Sequence, residues 1–485
     1  MNRGNSTLSQ HTGQSRDPGY GLGSISQGRP SILVIILDAL RARNVSGYGY
    51  SVRTTPHLDA FASENVLFRR AYTTSTWTIP THASMLSGLY LSQHRLENIQ
   101  RNRQFHEAVI TLPTALRSAG YETAAFSQNM LFTPTHHFDY FEAFYGPEHL
   151  RGSHWLFGQL SAVSSGTTGL VGRFNRYLEK VSRPRVFFDA IYDWIRAQSA
   201  SKPFFLMANL LNAHYPWAPS PAILLRQLRF NPKHLLQSEF TVLRPWQFNS
   251  GLKKVTDTHR RVWRSLYDAA AIHLDRELGR FLKRLRRWHG WQDLVVVITS
   301  DHGEMLGDYR DIVGHMLSLH DNILHVPLVI RHPDYPCGVT VEGVVQTIDL
   351  YPSVLEWAGV SYDSIPAAQL QRPSYSQAVG SPDSLSGYAF AEEDYSDSYD
   401  VIGGLVGTNP EMKADRFPRR QIAMHSATHK YIWCDDRPGE FYDLVSDPFE
   451  SDNLIARNKH SPALAELRQV LEEWHSGLEI FPPRM

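Results

Sequence analysis

The 485 residues carry 48 Lys plus Arg against 48 Asp plus Glu, so no overall field recommends nucleic acid or an anionic membrane as a partner, and any anion binding has to be local. The two cysteines, Cys337 and Cys434, are too few for a disulfide framework and lack the paired spacing of a structural zinc site, which indicates a reducing, cytoplasmic setting. No run approaches about 18 uninterrupted apolar residues, and the N-terminus has no apolar stretch of the kind a secretory signal needs, so neither a membrane span nor export is expected.

Residues 1–29 are rich in Gly, Ser, Gln and Arg and hold almost no bulky apolar side chains, so they read as a disordered tail. From Ser31 to Leu37 the chain is a short β-branched run, the pattern of a strand covered on both faces, and Asp38 follows at its C-terminal end. Phe204 to Asn209, Leu294 to Thr299 and Pro327 to Arg331 repeat the form. Thr55-Pro56 and Thr111 to Pro113 resemble helix starts with a capping hydroxyl and an early proline, and Gly120 is placed to end the second helix. Tyr267, Ala270, Ala271, Leu274, Leu278, Phe281, Leu282 and Leu285 keep a 3.6-residue period, which predicts an amphipathic helix feeding the strand at 294.

Buried strands alternating with amphipathic helices predict an α/β fold with a doubly wound, mainly parallel sheet. Ligands on such sheets sit at the C-terminal ends of the strands. Near the C-terminus, Gln421 to Cys434 and Glu440 to Leu444 read as hairpin strands with a helix from Ser461 to Trp474, a small α+β subdomain. The organisation predicted is a tail at 1–29, a catalytic domain at 30–360 with insertions at about 150–200 and 218–262, and a subdomain at 361–485.

Asp38 and the pair Asp301-His302 both lie just past predicted strand ends, where carboxylates and an imidazole can gather around one divalent cation. His320 and His325 read as satisfied core histidines, and the basic stretch Arg244 to Arg264 as a solvated helical face.

The order of several segments resembles the sulfatase family of the alkaline-phosphatase superfamily. Matching stretches are Ile36 to Arg41 with Gly47 to Tyr50, Thr54 to Ala60, Trp77 to Gly88, Gly120 to Thr123, Asn212 to Pro216, Thr299 to Glu304, Gly314-His315, His325 to Leu328, Asp349 to Ser353 and Phe441 to Pro448. The resemblance implies a hydrolase of phosphoric, phosphonic or sulfuric esters, with one divalent cation (Mn, Mg, Ca or Zn) held by Asp38, Thr78, Asp301 and His302. It also places Thr78 at the nucleophile, where the family carries Cys/Ser-x-Pro-x-Arg and this chain has Thr78 to His82. Threonine cannot be oxidised to the formylglycine aldehyde, so Thr78 would act as a plain hydroxyl activated by the metal. A cap on the following helix is the bland alternative for Thr78.

By the same resemblance His214 and His315 become catalytic or substrate-contacting groups, the second standing where many members have lysine. His82 and Asn129 would contact substrate. Asp38-Ala39 and Asp301-His302, where sulfatases have a second Asp and an Asp-Asn pair, lean towards phosphonate and phosphodiester hydrolases. The implied substrate is a small-molecule, glycan or lipid ester. The competing readings are a sulfatase proper, a transferase passing a phospho group to an alcohol, and a degenerate binding protein, the last opposed by survival of the whole metal set.

Overall fold

A computed structural model describes residues 29–96, 104–132, 137–144, 170–199, 201–217, 245–380, 387–395 and 416–478, with 219, 220, 222, 223 and 226. The expected tail, save Arg29, the first part of the insertion expected at about 150–200 and most of residues 218–244 in the other lie outside these residues.

The predicted strands form as β1 (Ile32–Leu37), β5 (Phe204–Leu210), β6 (Val295–Thr299) and β9 (His325–Arg331). Joined by β2 (Val66–Tyr72), β3 (Glu122–Ser127), β4 (Tyr140–Ala143) and β10 (Val339–Gln346), they build an eight-stranded sheet in the order β10-β2-β9-β6-β1-β5-β3-β4. Pairings are parallel except those of β9, which runs against both β2 and β6.

β1 is apolar throughout because both of its faces are covered. Leu33, Ile35 and Leu37 pack with Leu206, Val296 and the helices Leu170–Ala197 and Asp257–Leu285. Ile32, Val34 and Ile36 pack on the opposite side with Met207, Val297 and residues of helices Thr78–Ser87, Leu112–Ser118 and Leu350–Trp357. β1 therefore buries its side chains in two directions, and the hydrophobic contribution scales with that doubled area. All eight periodic residues between Tyr267 and Leu285 are buried.

Helices Pro56–Ser63 and Leu112–Ser118 begin where Thr55 and Thr111 predict, but neither hydroxyl caps a backbone N–H. The Thr55 hydroxyl is instead taken by Asp59 Oδ1 at 3.1 Å and by the Ser46 N–H at 3.0 Å. Gly120 does end the second helix, at φ 87°, a left-handed turn that glycine adopts without a Cβ clash.

Gln421 to Cys434 is two strands rather than one: β12 (Arg420–His425) and β13 (His429–Cys434), which pair with each other. With β11 (Ala389–Asp394) and β14 (Glu440–Asp443) they form an antiparallel sheet, β11-β12-β13-β14. One face, Phe390, Ile422, Met424 and Phe441, takes Leu464, Leu467 and Leu471 of helix Pro462–Gly477. The other face, Ala389, Ala391, Ala423 and Ile432, packs on Tyr72, Leu319 and Ile323 and so joins the two layers. Among the described residues no helix is long and apolar enough to cross a membrane.

Candidate metal centre and catalytic site

Four parallel strands end at one place. Asp38 follows β1, Asn129 lies two residues past β3, Asp301 and His302 lie past β6, and the loop after β2 leads to helix Thr78–Ser87. Asp38, Thr78, His82, Asp301 and His302 are all at most 1 % exposed. Asp38, Asp301 and His302 each present one ligand atom within 4.8 Å of the other two. His302 Nε2 lies 3.4 Å from Asp301 Oδ2, 3.7 Å from Asp38 Oδ1 and 3.5 Å from Thr78 Oγ.

The His302 ring is oriented by its other nitrogen. Nδ1 sits 2.8 Å from the Gly303 carbonyl, which can only accept, so the proton resides on Nδ1 and the lone pair of Nε2 faces the carboxylates. Burial lowers the His302 pKa and keeps that lone pair available. Burial, then the neighbouring Asp301, lifts Asp38 to about 6. Asp301 moves the other way: burial works against its charge, but His302 and His82 outweigh it and hold the carboxyl well below the usual range.

Asp38 Oδ1 and Asp301 Oδ2 are buried without a hydrogen-bond partner. Two acceptor oxygens and an imidazole lone pair facing one another in a water-excluded space are costly unless a cation joins them. The set of oxygen and nitrogen donors fits a divalent metal.

Thr78 is the first residue of its helix and Trp77 is the N-cap, without a side-chain cap bond. The Thr78 hydroxyl faces the site instead, accepting from Asn129 Nδ2 at 3.0 Å. The same Nδ2 donates to Asp38 Oδ2 at 2.8 Å, and Asn129 Oδ1 accepts the Leu131 N–H at 2.9 Å. Both amide hydrogens of Asn129 thus hold the hydroxyl and Asp38 in relation to each other. His82, expected at the substrate, reaches Asp301 Oδ2 with Nε2 at 3.4 Å and sets its ring edge against Phe132.

His214 and His315 meet beside His302, with ring centroids 4.7 Å apart and the His302 and His315 rings stacked at 4.4 Å. His214 Nδ1 donates to the Tyr215 carbonyl. Glu304, quoted in the Thr299 to Glu304 stretch but given no role there, is fully buried behind this trio. Its Oε1 bonds His315 Nδ1 at 3.2 Å and its Oε2 accepts the Tyr215 N–H at 2.9 Å. Burial alone would lower His315, but the bond to Glu304 and its charge outweigh that and raise it. Asn209 also escaped the sequence reading: from inside β5 its Nδ2 donates to Asp38 Oδ2 at 3.1 Å. The signal was present, because an Asn inside an otherwise buried apolar strand needs a polar partner.

His320 and His325, left out of the site, are engaged elsewhere. His320 Nε2 lies 3.3 Å from Glu440 Oε2, and His325 donates to the Arg69 carbonyl at 2.9 Å.

This arrangement, three side chains able to hold one cation at strand ends beside a hydroxyl and a histidine pair, suits an ester hydrolase of alkaline-phosphatase-like fold. The sulfatase family model matches residues 30–360, and the chain belongs to that family. It is 24 % identical over 470 residues to an ulvan-active sulfatase of Formosa agariphila, a match covering 92 % of this chain and 81 % of the relative. It is also 24 % identical over 514 residues to the multifunctional alkaline phosphatase superfamily protein PehA of Trinickia caryophylli, covering 92 % and 95 %. The phosphonate monoester hydrolase from Silicibacter pomeroyi superposes with a TM-score of 0.69 at 23 % identity, covering 92 % of this chain and 95 % of that one, and so shares its fold.

Proposed function

We propose that this chain hydrolyses phosphorus esters, phosphodiesters or phosphonate monoesters, in two steps through Thr78. The observation that carries the reading is the Thr78 hydroxyl turned into the ligand cluster, 3.5 Å from His302 Nε2 and 3.0 Å from Asn129 Nδ2. A divalent cation held by Asp38, Asp301 and His302 would favour the alkoxide form of that hydroxyl and offset charge on the transferred group.

In the first step Thr78 Oγ, its proton already released to solvent, forms a bond to phosphorus while the bond to the leaving alcohol breaks. His315, favoured as an imidazolium by Glu304, stands beside His214 to give the departing oxygen its proton. In the second step His315, now neutral, takes a proton from the water that attacks the phosphorus of the phospho-threonine, the P–O bond to Thr78 breaks, and Thr78 leaves as the alkoxide, which restores the starting state. Asn129 aligns the hydroxyl against Asp38 throughout.

Threonine also sets the substrate preference. A formylglycine hydrate has a second oxygen that can expel the sulfo group by collapsing to the aldehyde, and Thr78 has none. A sulfated threonine would need water to attack sulfur, whereas phosphoryl transfer proceeds readily by in-line attack with charge neutralisation. Rates on matched aryl sulfate, aryl phosphodiester and aryl phosphonate esters, with Mn or Mg supplied, test the proposal. The phosphorus esters should show the higher kcat/KM, and repeated turnover of the sulfate at a higher value would refute the role given to Thr78.

A further inference from the structure

The hairpin of β12 and β13 sends a charged side chain into the boundary between the two layers. His425 and Lys430, paired across that hairpin, are both fully buried. Lys430 Nζ donates to Asp321 Oδ1 at 2.7 Å and to Glu450 Oε1. His425 Nε2 lies 2.7 Å from the same Asp321 oxygen, and Glu450 Oε2 accepts the Asp321 N–H at 2.7 Å. Asp321 and Glu450 are themselves buried, so one ammonium group holds two water-excluded carboxylates from separate segments.

Asp321 opens the short helical turn Asp321–Leu324, and three successive carbonyls of that turn reach the metal site. The Asn322 carbonyl accepts the Glu304 N–H at 3.1 Å, the Ile323 carbonyl the Gly303 N–H at 2.7 Å, and the Leu324 carbonyl the Thr73 N–H at 2.9 Å. The fit is close, because a Cβ added to Gly303 would lie 2.0 Å from the Asn322 carbonyl oxygen. Each residue held in this way serves the site. Gly303 carries the carbonyl that orients the His302 ring, Glu304 binds His315, and Thr73 begins the segment that leads to Thr78.

A tie between the layers does not require these ions. Tyr72, Leu319 and Ile323 already pack on Ala389, Ala423 and Ile432. Burying a lysine with two acids adds little to stability, since desolvation offsets most of the attraction, whereas short charge-assisted bonds fix where the turn sits.

We propose that Lys430 is a positioning residue for the metal centre, acting through Asp321 on the turn that holds the backbone beside His302. The proposal rests on the assignment of the cation to Asp38, Asp301 and His302. Lys430 touches neither cation nor substrate. Groups that orient metal ligands change affinity about 10–100-fold when removed, and Lys430, one link further out, belongs at the lower end of that range.

Two measurements on the full chain test this: Mn²⁺ affinity by isothermal titration, and hydrogen exchange of the peptide carrying the Gly303 and Glu304 amides in the metal-free protein. Lys430→Met alone would leave two buried carboxylates facing each other and endanger the fold, so Glu450→Gln accompanies it. Asp321→Asn is a milder second variant. Each is expected to bind Mn²⁺ about tenfold more weakly and to exchange the two amides about tenfold faster. Leu467→Ala opens a cavity on the far face of the small sheet and lowers stability without touching the turn. Compared at equal intervals below each Tm, it should keep the parent's affinity and exchange. Parent-like affinity and exchange in either folded variant, or equal losses in Leu467→Ala, would overturn the proposal. A parent that binds no Mn²⁺ would refute the cation assignment instead, and the exchange of the two amides then decides on Lys430.

Discussion

Glu304→Gln offers a close test of how the histidine pair is positioned. Glu304 is fully buried and its two carboxylate oxygens serve two different segments, His315 Nδ1 at 3.2 Å and the Tyr215 N–H at 2.9 Å. Alanine would leave two part-buried donors without this acceptor, at about 1–3 kcal/mol each where water is fully excluded, so up to about 6 kcal/mol of stability is at stake and the variant tests folding as much as catalysis. Glutamine preserves the shape and one acceptor. It must turn an NH2 towards either His315 or Tyr215, donor against donor, and the weaker-held partner is the imidazole on its loop. His315 should then lose its fixed orientation and its preference for the imidazolium. Positioned general acids contribute about 10²–10⁴-fold, and misorientation without removal forfeits the lower part of that range. We expect kcat on an aryl phosphodiester to fall about 100-fold, KM to stay within about threefold, and calorimetry to show a folded protein. A folded Glu304→Gln whose kcat lies within twofold of the parent would show that Glu304 fills space and positions nothing.

The parent protein is expected to bind about one equivalent of divalent cation by metal analysis after dialysis, and Asp301→Ala or Asp38→Ala to bind none; full occupancy in both variants would remove the site. Thr78→Ala should lose several orders of magnitude in kcat, whereas loss of a helix cap would cost about 1 kcal/mol of stability and leave turnover intact. Peptide mass spectrometry should find Thr78 unmodified or carrying only a trapped phospho group. Acid should weaken the fold through His94, whose pKa burial lowers from 6.5 to about 3 while its Nδ1 accepts the Leu96 N–H at 3.0 Å. The unfolded chain takes up this proton near pH 6.5 and the folded chain does not, so stability is complete above 6.5 and declines towards 3 by about 1.4 kcal/mol per pH unit. His94→Asn should show a shallower decline in chemical denaturation between pH 6.5 and 5, and equal slopes would contradict the assignment.

How much of this was legible in the sequence depended on how evenly each element is buried. β1, β5 and β6 lie in the middle of the sheet with helices on both faces, so their apolar runs stand out. β2 carries Arg69 and Arg70 in mid-strand, β3 is mostly small or polar with Phe126 its one bulky apolar residue, and β10 is an edge strand holding Glu342 and Gly343 at a register shift. None of these offers a run to detect. That Asp38, Asp301 and His302 would come together was readable because strand ends are where such a sheet gathers its polar side chains. Thr78 was readable only through the family resemblance, since its hydroxyl acquires meaning from Asn129 and His302, 51 and 224 residues away. Glu304 was in view, but its role depends on the β7 (Met305–Leu306) and β8 (Val313–Gly314) ladder folding His315 back over it, which no local pattern encodes.

The small C-terminal sheet shares in the site although it supplies none of the ligands. The approach to Thr78 runs alongside β11, where Glu392 N bonds the Thr74 carbonyl at 2.9 Å and Ser75 Oγ bonds the Glu392 carbonyl at 2.7 Å. Glu393 then accepts from Thr76 Oγ at 2.9 Å and, with the same oxygen, from the Leu317 N–H at 2.8 Å. One buried carboxylate therefore joins the segment two residues before Thr78 to the segment two residues after His315. Burial raises the pKa of Glu393, and the four hydrogen bonds it accepts from Tyr395, Leu317, Thr76 and Gln421 work against that rise. Attack by one group and proton donation by another require the two to be held at a fixed separation, and displacements of about 1 Å cost about 100-fold in rate. The side chains proposed to hold the cation come from the large sheet, while the distance between hydroxyl and imidazole is set across the layer boundary by a residue that touches neither.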